Sequence, residues 1–159
     1  MQLRRQTGFT LVELMITLAI IGILATMAYP MREIVMKRER ERELRIALRE
    51  IRLALDAYKQ AGDEGKLAKT ADASGYPENL DALESGIEDA SSPDKRRIYF
   101  LRRIPRDPMN PDTTLSPAAT WGKRSYASSH DAPQEGRDVF DVYSLSRDKG
   151  LNGVAYRNW

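Results

Sequence analysis

The sequence predicts an α+β protein in which a long N-terminal helix, first transmembrane and then amphipathic, carries a small antiparallel sheet packed on its C-terminal half. Three observations lead to this prediction. Residues 9–29 are almost all apolar. Residues 31–61 contain neither glycine nor proline and repeat apolar side chains at helical spacing. Residues 139–145 alternate apolar with polar side chains, as a half-buried strand does.

Residues 8–30 read GFTLVELMITLAIIGILATMAYP, with Glu13 as their only formal charge. A run of this length is about what a helix needs to cross a bilayer. It follows a polar leader that contains Arg4 and Arg5 and no acid. Because basic residues before a span hold that end in the cytoplasm, we expect the rest of the chain to face outward. A secretory signal peptide has a shorter apolar region and a small-residue cleavage site after it. Here the apolar run is longer and the small residue, Gly8, precedes it, so the segment is not an ordinary secretory signal peptide.

The amphipathic half of the helix follows Pro30, which ends the apolar run and predicts a bend because it removes one backbone hydrogen bond. Residues 31–61 are rich in the good helix formers Arg, Glu, Leu and Ala. Gly62 is the predicted C-cap. The apolar stripe consists of Leu44, Ala47, Leu48, Ile51, Leu55 and Tyr58.

Residues 37–43, KRERERE, are charged on every face of this helix. They predict a solvated helical neck with charge pairs along it. The other interpretation is ion pairing between subunits, or contact with anionic headgroups, and the sequence does not separate the two. The candidate pairs along the helix are Glu39–Arg42, Arg40–Glu43 and Glu41–Arg45.

Short elements are expected after the helix. Residues 62–75 predict a mobile loop. Residues 76–83 predict a short helix with Pro77 in its first turn and an end at Gly86. Residues 97–104 fit either an extended segment or a short helix.

The remaining elements are an irregular proline-rich stretch and a strand pair. Residues 105–117 contain four prolines and predict irregular structure. Residues 124–129 and 139–145 are the two strand candidates, and the segment between them suits a hairpin connection. No internal repeat is visible.

Composition excludes several functions. The chain has 25 basic and 23 acidic residues, and Arg4 and Arg5 of the polar leader account for the excess of two bases. The bases are interleaved with acids and lack the aromatic spacing of a nucleic-acid surface. Cysteine is absent, which excludes disulfides, thiolate metal sites and cysteine nucleophiles.

No catalytic constellation is present. His130 is the only histidine, and Asp138 and Asp141 flank Phe140 without forming an acid–base pair. There is no P-loop, GxSxG or HExxH motif, so we expect no enzymatic activity. The aromatic residues expected in the core rather than at a ligand site are Tyr58, Tyr99, Phe100, Trp121, Tyr126, Phe140, Tyr143 and Trp159.

The stretch Gly8-Phe9-Thr10-Leu11-Val12-Glu13 resembles the class III signal of type IV prepilins and pseudopilins. The resemblance implies that a membrane peptidase cleaves after Gly8 and methylates the new amine of Phe9. It also implies that the apolar helix joins a filament core. Glu13 would then neutralise the Phe9 ammonium of a neighbouring subunit, since a carboxylate at membrane depth usually has a partner. The alternative is that Glu13 lies near the interface and reaches headgroup water.

Motifs farther along the chain resemble the major pseudopilin of type II secretion systems, the G subunit. In order, these are YPxxLxxL at 76–83, IPRDP at 104–108, Trp121-Gly122 before Ser125-Tyr126, and FDVYSL at 140–145. The resemblance implies a pilin-like fold and polymerisation into a periplasmic pseudopilus that helps drive folded proteins across the outer membrane.

This resemblance divides the chain into a leader (1–8), a transmembrane and filament-core helix (9–30), an amphipathic helix (31–61) and a periplasmic head (62–159). It implies a single-pass protein of the bacterial inner membrane with a cytoplasmic N-terminus and a periplasmic head, which joins a periplasmic filament after assembly. The implied partners are further copies of the chain, minor pseudopilins, the inner-membrane platform, the assembly ATPase system, the prepilin peptidase and the membrane, but no nucleic acid.

Family members typically carry a calcium loop after the SLxxD stretch. Here Asp148 keeps the first acid and Leu145 can offer a carbonyl, but residues 149–159 contain no acid. Because calcium takes six to eight oxygen ligands, Leu145, Asp148 and Asn152 make only a weak candidate site. Calcium is therefore only a weak candidate cofactor, and the sequence indicates no other. The alternative is a glycine-rich turn held by packing of Tyr156 and Trp159.

Two other functions remain open. One is a type IV pilin or minor pilin for adhesion, motility or DNA uptake, although many such pilins carry a cysteine pair that is missing here. The other is a monomeric binding module tethered to the membrane and facing the periplasm.

Overall fold

The computed structural model describes residues 8–68 and 74–159, without the side chains of residues 27–30. Its longest element is helix α1, Leu11–Asp63. The chain forms two compact units, Met1–Glu39 and Arg40–Trp159. Small antiparallel strand pairs lie in the second unit. The predicted α+β class is therefore confirmed.

Within the second unit, one face of α1 forms the centre of the hydrophobic core. The face repeats every three or four residues, as the sequence predicts. Each fully buried Leu or Ile contributes about 1.5–3 kcal/mol to stability. The buried apolar residues of this face are Leu44, Ala47, Leu48, Ile51, Ala54 and Leu55.

The end of α1 lies beyond the predicted stop. Gly62 is still helical, and α1 ends at Asp63. Gly65 adopts φ 75°, and its N–H donates to the carbonyl of Gly62 at 3.1 Å, while the Lys66 N–H donates to Ala61 at 3.0 Å. This is a Schellman motif, in which a left-handed glycine closes the last turn. The prediction of Gly62 as C-cap is thus wrong, because Gly65 supplies the required conformation.

Pro30 does not end α1, which continues through it. The bend predicted there stays a prediction. The mobile loop predicted at 62–75 includes residues 69–73, which lie outside the described residues.

A second helix, α2, is Asp81–Ser85, and it ends at Gly86 as predicted. Pro77 precedes this helix instead of lying in its first turn. Its carbonyl accepts a hydrogen bond from the N–H of Val139 at 2.8 Å. The Asn79 side chain accepts the N–H of Ala82 at 3.0 Å. The predicted helix start is therefore wrong, because tertiary pairing keeps the backbone at Pro77 out of the helix.

In the part of the chain that the structure describes, four strands form two antiparallel pairs. Strand β1 (Ile87–Glu88) pairs with β2 (Arg97–Ile98), which resolves the start of residues 97–104 as extended. Strand β3 (Trp121–Arg124) pairs with β4 (Asp141–Ser144).

The β3–β4 register places Trp121 opposite Ser144 and Arg124 opposite Asp141. The candidate strand at 139–145 is confirmed in its centre. The candidate at 124–129 is wrong, since Ser125 and Tyr126 turn towards Asp138, which accepts the Ser125 hydroxyl at 2.7 Å and the Tyr126 N–H at 2.9 Å. Residues 117–120 form a 3₁₀ helix that leads into β3.

Only some of the aromatic residues predicted for the core lie in it. Trp121 is 1% exposed, and its Nε1 donates to the Pro105 carbonyl at 2.8 Å. Tyr58, Phe100 and Trp159 pack against the core. The prediction of a core role is wrong for Tyr99 and Tyr126, each 61% exposed. The Tyr126 ring lies instead at the surface, 5.4 Å from the Phe140 ring.

The charged stretch 37–43 also differs from expectation at one position. Glu41 is 4% exposed, so the prediction of solvation on every face is wrong there. Its burial follows from contacts with residues more than a hundred positions later in the chain. The predicted pair Glu41–Arg45 is present, with 3.6 Å between Oε2 and Nη2.

Candidate assembly site and the 148–159 segment

The start of α1 is capped by Thr10. Its Oγ1 accepts the N–H of Glu13 at 3.3 Å, and its carbonyl accepts the N–H of Leu14 at 3.2 Å. Thr10-Leu11-Val12-Glu13 has the spacing of a capping box, in which a threonine satisfies a free N–H of the first turn. The capping-box signal is readable in the sequence, although the prediction of the helix did not use it. It gives Thr10 a structural role in fixing where the helix begins.

Gly8 and Phe9 lie before that cap and belong to no helix or strand. A Cβ built on Gly8 would have nothing within 4 Å, and Phe9 is 81% exposed. The Gly8–Phe9 peptide bond is therefore accessible and outside the helix. Backbone of this kind can enter the site of a peptidase without unfolding a helical turn.

Glu13 lies in the first turn of α1 and is exposed. Negative charge is favourable there because the first N–H groups of a helix leave partial positive charge at its N-terminus. The structure thus brings Gly8, Phe9 and Glu13 into one short exposed segment.

The side chains of residues 11–26 of α1 are exposed on every face of the helix. By length and composition it is able to span a membrane, and none of its most apolar window is buried in the described residues. A helix that is apolar on all faces needs cover from lipid or from other helices. The large apolar side chains left exposed are Leu11, Val12, Leu14, Met15, Ile16, Leu18, Ile20, Ile21, Ile23 and Leu24.

The weak calcium candidates lie in or beside a small loop. The Asp148 carbonyl accepts the N–H of Tyr156 at 3.1 Å, and the Asn152 side-chain oxygen accepts the N–H of Val154 at 3.0 Å. Leu145 is exposed just before this loop. Among the described residues, no group of three or more His, Cys, Asp or Glu side chains could hold a metal. One carboxylate and one side-chain amide oxygen do not fit calcium, which takes six to eight oxygen ligands and prefers several carboxylates.

The two acids that flank Phe140, Asp138 and Asp141, have structural partners. Asp141 pairs with Arg52 at 2.8 Å and with Arg124 at 3.2 Å. Burial works against ionisation of Asp138, but hydrogen bonds from Ser74, Ser125 and the Tyr126 N–H outweigh it and lower its pKa. Asp138 is thus favoured as an anion by its hydrogen bonds, and Asp141 ties β4 to α1 through Arg52.

His130 is an exposed surface residue. Its Nδ1 lies 3.8 Å from a carboxylate oxygen of the neighbouring Asp131. This position agrees with the expectation of a surface histidine.

Comparison with known proteins agrees with the geometry of the helix start. Residues 3–29 match the prokaryotic N-terminal methylation motif. The type II secretion system core protein G of Pseudomonas aeruginosa is 30% identical over 156 residues, which cover 93% of this chain and 88% of that protein. The chain belongs to the type II secretion system core protein G family.

Other core protein G sequences match over similar lengths. The protein of Klebsiella michiganensis is 29% identical over 154 residues, or 92% of this chain and 99% of the relative. That of Aeromonas hydrophila is 32% identical over 124 residues, or 74% of this chain and 78% of the relative. No solved structure gives a significant match. The resemblance to the G subunit noted in the sequence is therefore confirmed.

Proposed function

We propose that this chain is a structural subunit that polymerises through its N-terminal helix into the periplasmic pseudopilus of a type II secretion system. The pseudopilus helps drive folded proteins across the outer membrane. The observation that carries this proposal is the exposed Gly8–Glu13 start of α1, joined to an apolar helix that the described residues leave uncovered. Membership of the core protein G family supports a secretion role over a pilus role.

The proposal includes proteolytic processing of the chain just before α1. A prepilin peptidase cleaves after Gly8 and the amine of Phe9 is methylated. The exposed, non-helical backbone at this bond supports cleavage there. Cleavage removes Arg4 and Arg5 and leaves a cationic amine four residues before Glu13.

Glu13 fixes the axial position at which a subunit joins the filament. A carboxylate at membrane depth is costly unless it is paired, and the Phe9 ammonium of a neighbouring copy supplies the opposite charge. This pairing favours one axial position of a subunit over others. Apolar packing of the outward side chains of α1 then supplies the non-directional part of the association.

The topology and partners follow from the same function. Residues 9–30 cross the inner membrane with their start in the cytoplasm, and residues 31–61 lead to the periplasmic head of residues 62–159. The platform, the assembly ATPase and the minor pseudopilins are separate proteins, and the subunit itself catalyses no reaction.

The decisive experiment deletes the gene and measures exported proteins in the culture medium, together with surface pili and twitching. We expect exoproteins to stay in the periplasm while motility is unchanged. Normal secretion with lost pili would instead assign the chain to a pilus, and no change in either would favour the tethered binding module.

Complementation tests the role of Glu13. Glu13→Ala should fail to restore secretion, whereas Glu33→Ala, which removes an exposed glutamate from the same helix, should restore it. Full secretion with Glu13→Ala would contradict assembly through Glu13. Intact mass of the membrane-extracted protein should correspond to a chain that starts at N-methylated Phe9, and a mass that still includes Met1 would contradict processing.

A further inference from the structure

Glu41 is a buried carboxylate on the face of α1 that meets residues 148–159, here called the 148–159 segment. Its Oε1 accepts the main-chain N–H of Leu151 at 2.7 Å and the hydroxyl of Tyr156 at 3.1 Å. A carboxylate buried to 4% exposure is tolerated only when its oxygens are satisfied. These two donors therefore connect the 148–159 segment directly to the helix.

Arg45, one turn later on α1, completes the contact. Its Nη2 lies 3.6 Å from Oε2 of Glu41, and its guanidinium carbon lies 4.6 Å from the centre of the Trp159 ring. The Trp159 ring in turn meets the Tyr156 ring edge to face at 5.1 Å. Arg45 thus lies between the Glu41 carboxylate and the Trp159 ring, with which it makes a cation–π contact.

Arg52 holds the far end of the same segment. Its Nη2 donates to the main-chain oxygen of Trp159 at 2.8 Å. Positions 41, 45 and 52 fall on one face of a helix. The helix therefore presents one anion and two cations in a row, and all three contact the 148–159 segment.

The segment itself is a compact loop that closes on its own atoms. The Gly150 N–H donates to the Val154 carbonyl at 2.8 Å, and Lys149 bridges to Ala155. The Trp159 ring lies so close to Gly150 that a side chain there would collide with it. The Asp148 carbonyl accepts the N–H of Tyr156 and the Asn152 side-chain oxygen accepts the N–H of Val154, so both oxygens help to close the loop.

We propose that Glu41 is the positioning residue that fixes the 148–159 segment, and that the second unit folds without a metal ion in this loop. Where the resemblance to the G subunit implies calcium, this chain places a carboxylate from the helix. The carboxylate binds a main-chain N–H and a phenol directly, so no cation is needed to gather acidic side chains. This inference concerns the second unit alone and does not rest on the proposed secretion function.

The test is hydrogen exchange of the full chain in detergent micelles, followed by mass spectrometry of peptides from residues 145–159. Wild-type protein is compared in EGTA and in about 1 mM CaCl₂, which is the range of weak extracellular calcium sites. Glu41→Ala is compared with Glu43→Ala, its exposed neighbour. We expect about tenfold faster exchange in these peptides for Glu41→Ala, as for the loss of one charge-assisted hydrogen bond. Glu43→Ala and the calcium change should have no effect.

Two results would overturn the proposal. One is wild-type protection that is lost in EGTA and restored by calcium. The other is equal exchange in Glu41→Ala and Glu43→Ala. Where Glu41→Ala does not fold, Tyr156→Phe removes only the hydroxyl that Glu41 accepts, and it should speed exchange in the same peptides several-fold. Unchanged exchange in Tyr156→Phe would then count against the proposal.

Discussion

Arg52 on α1 and Asp141 on β4 are joined by a charge-assisted hydrogen bond of 2.8 Å between Nε and Oδ1. The same guanidinium donates through Nη2 to the carbonyls of Val142 at 3.2 Å and Trp159 at 2.8 Å. One arginine therefore connects the helix, the strand and the 148–159 segment. Planar guanidinium groups suit this role because their N–H groups point in fixed, divergent directions.

Arg52→Ala should lower the free energy of unfolding of the second unit by about 2 kcal/mol, since hydrogen bonds to charged groups contribute about 1.5–3 kcal/mol. Urea unfolding followed by tryptophan fluorescence measures the change. Arg49→Ala is the matched control, because Arg49 is exposed on the same helix, and it should change stability by less than about 0.5 kcal/mol. Equal effects of the two variants would contradict the bridging role of Arg52.

Ile51 and Leu53 should respond very differently to truncation. Ile51 is 0% exposed in the core and Leu53 is 61% exposed. Ile51→Ala should destabilise the chain by about 2–5 kcal/mol through lost burial and a residual cavity. Leu53→Ala in the same unfolding assay should cost less than about 0.5 kcal/mol. A large effect of Leu53→Ala on the monomer would mean that α1 buries a different face.

Ser144→Ala should destabilise the β3–β4 pair. The Ser144 hydroxyl donates to Oδ2 of Asp107 at 2.6 Å, and Asp107 is 1% exposed. Removing the hydroxyl leaves a buried carboxylate oxygen without this donor, at a cost of about 1–3 kcal/mol. Thermal unfolding compares Ser144→Ala with the control Ser116→Ala. The Ser116 side chain is exposed and makes no capping hydrogen bond. If Ser144→Ala melts like Ser116→Ala, the Asp107 contact contributes nothing.

Stability should fall in strongly alkaline solution because of Tyr156. Burial, followed by the hydrogen bond to Glu41, raises the pKa of Tyr156 from 10.0 to about 12. The unfolded chain loses this proton first, so the stabilisation is complete below pH 10 and disappears as the pH rises to about 12. Urea unfolding across this range measures the decline. Tyr156→Phe should show a shallower decline, and parallel curves would contradict the linkage.

The local features of the fold could be predicted from the sequence. The apolar stripe of α1 and the centre of β4 follow from periodicity, which depends on residues only a few positions apart. The Gly8–Glu13 motif is contiguous, so it identified the candidate assembly site before any contact was known. Its capping box was equally local and could have been read in the same way.

The predictions from the sequence were wrong where contacts between distant residues decide the local structure. The strand predicted at 124–129 lies instead at β3, because Trp121 pairs with Ser144 while Asp138 holds Ser125 in a turn. The glycine that closes the last turn of α1 is Gly65, not the predicted Gly62. Either glycine could close the helix by its local sequence, but only Gly65 adopts a left-handed backbone. Propensity does not choose between such alternatives, and packing does.

The sequence by itself determined the long helix, its apolar first part and the prepilin-type start, because each is encoded by neighbouring residues. Only the tertiary structure decided which charge of KRERERE is buried. In the sequence Glu41 is one acid among alternating charges, whereas in the fold it accepts the N–H of Leu151, 110 positions later. A carboxylate is stable in the interior only where donors converge on it, and that convergence exists only once the 148–159 segment lies against α1.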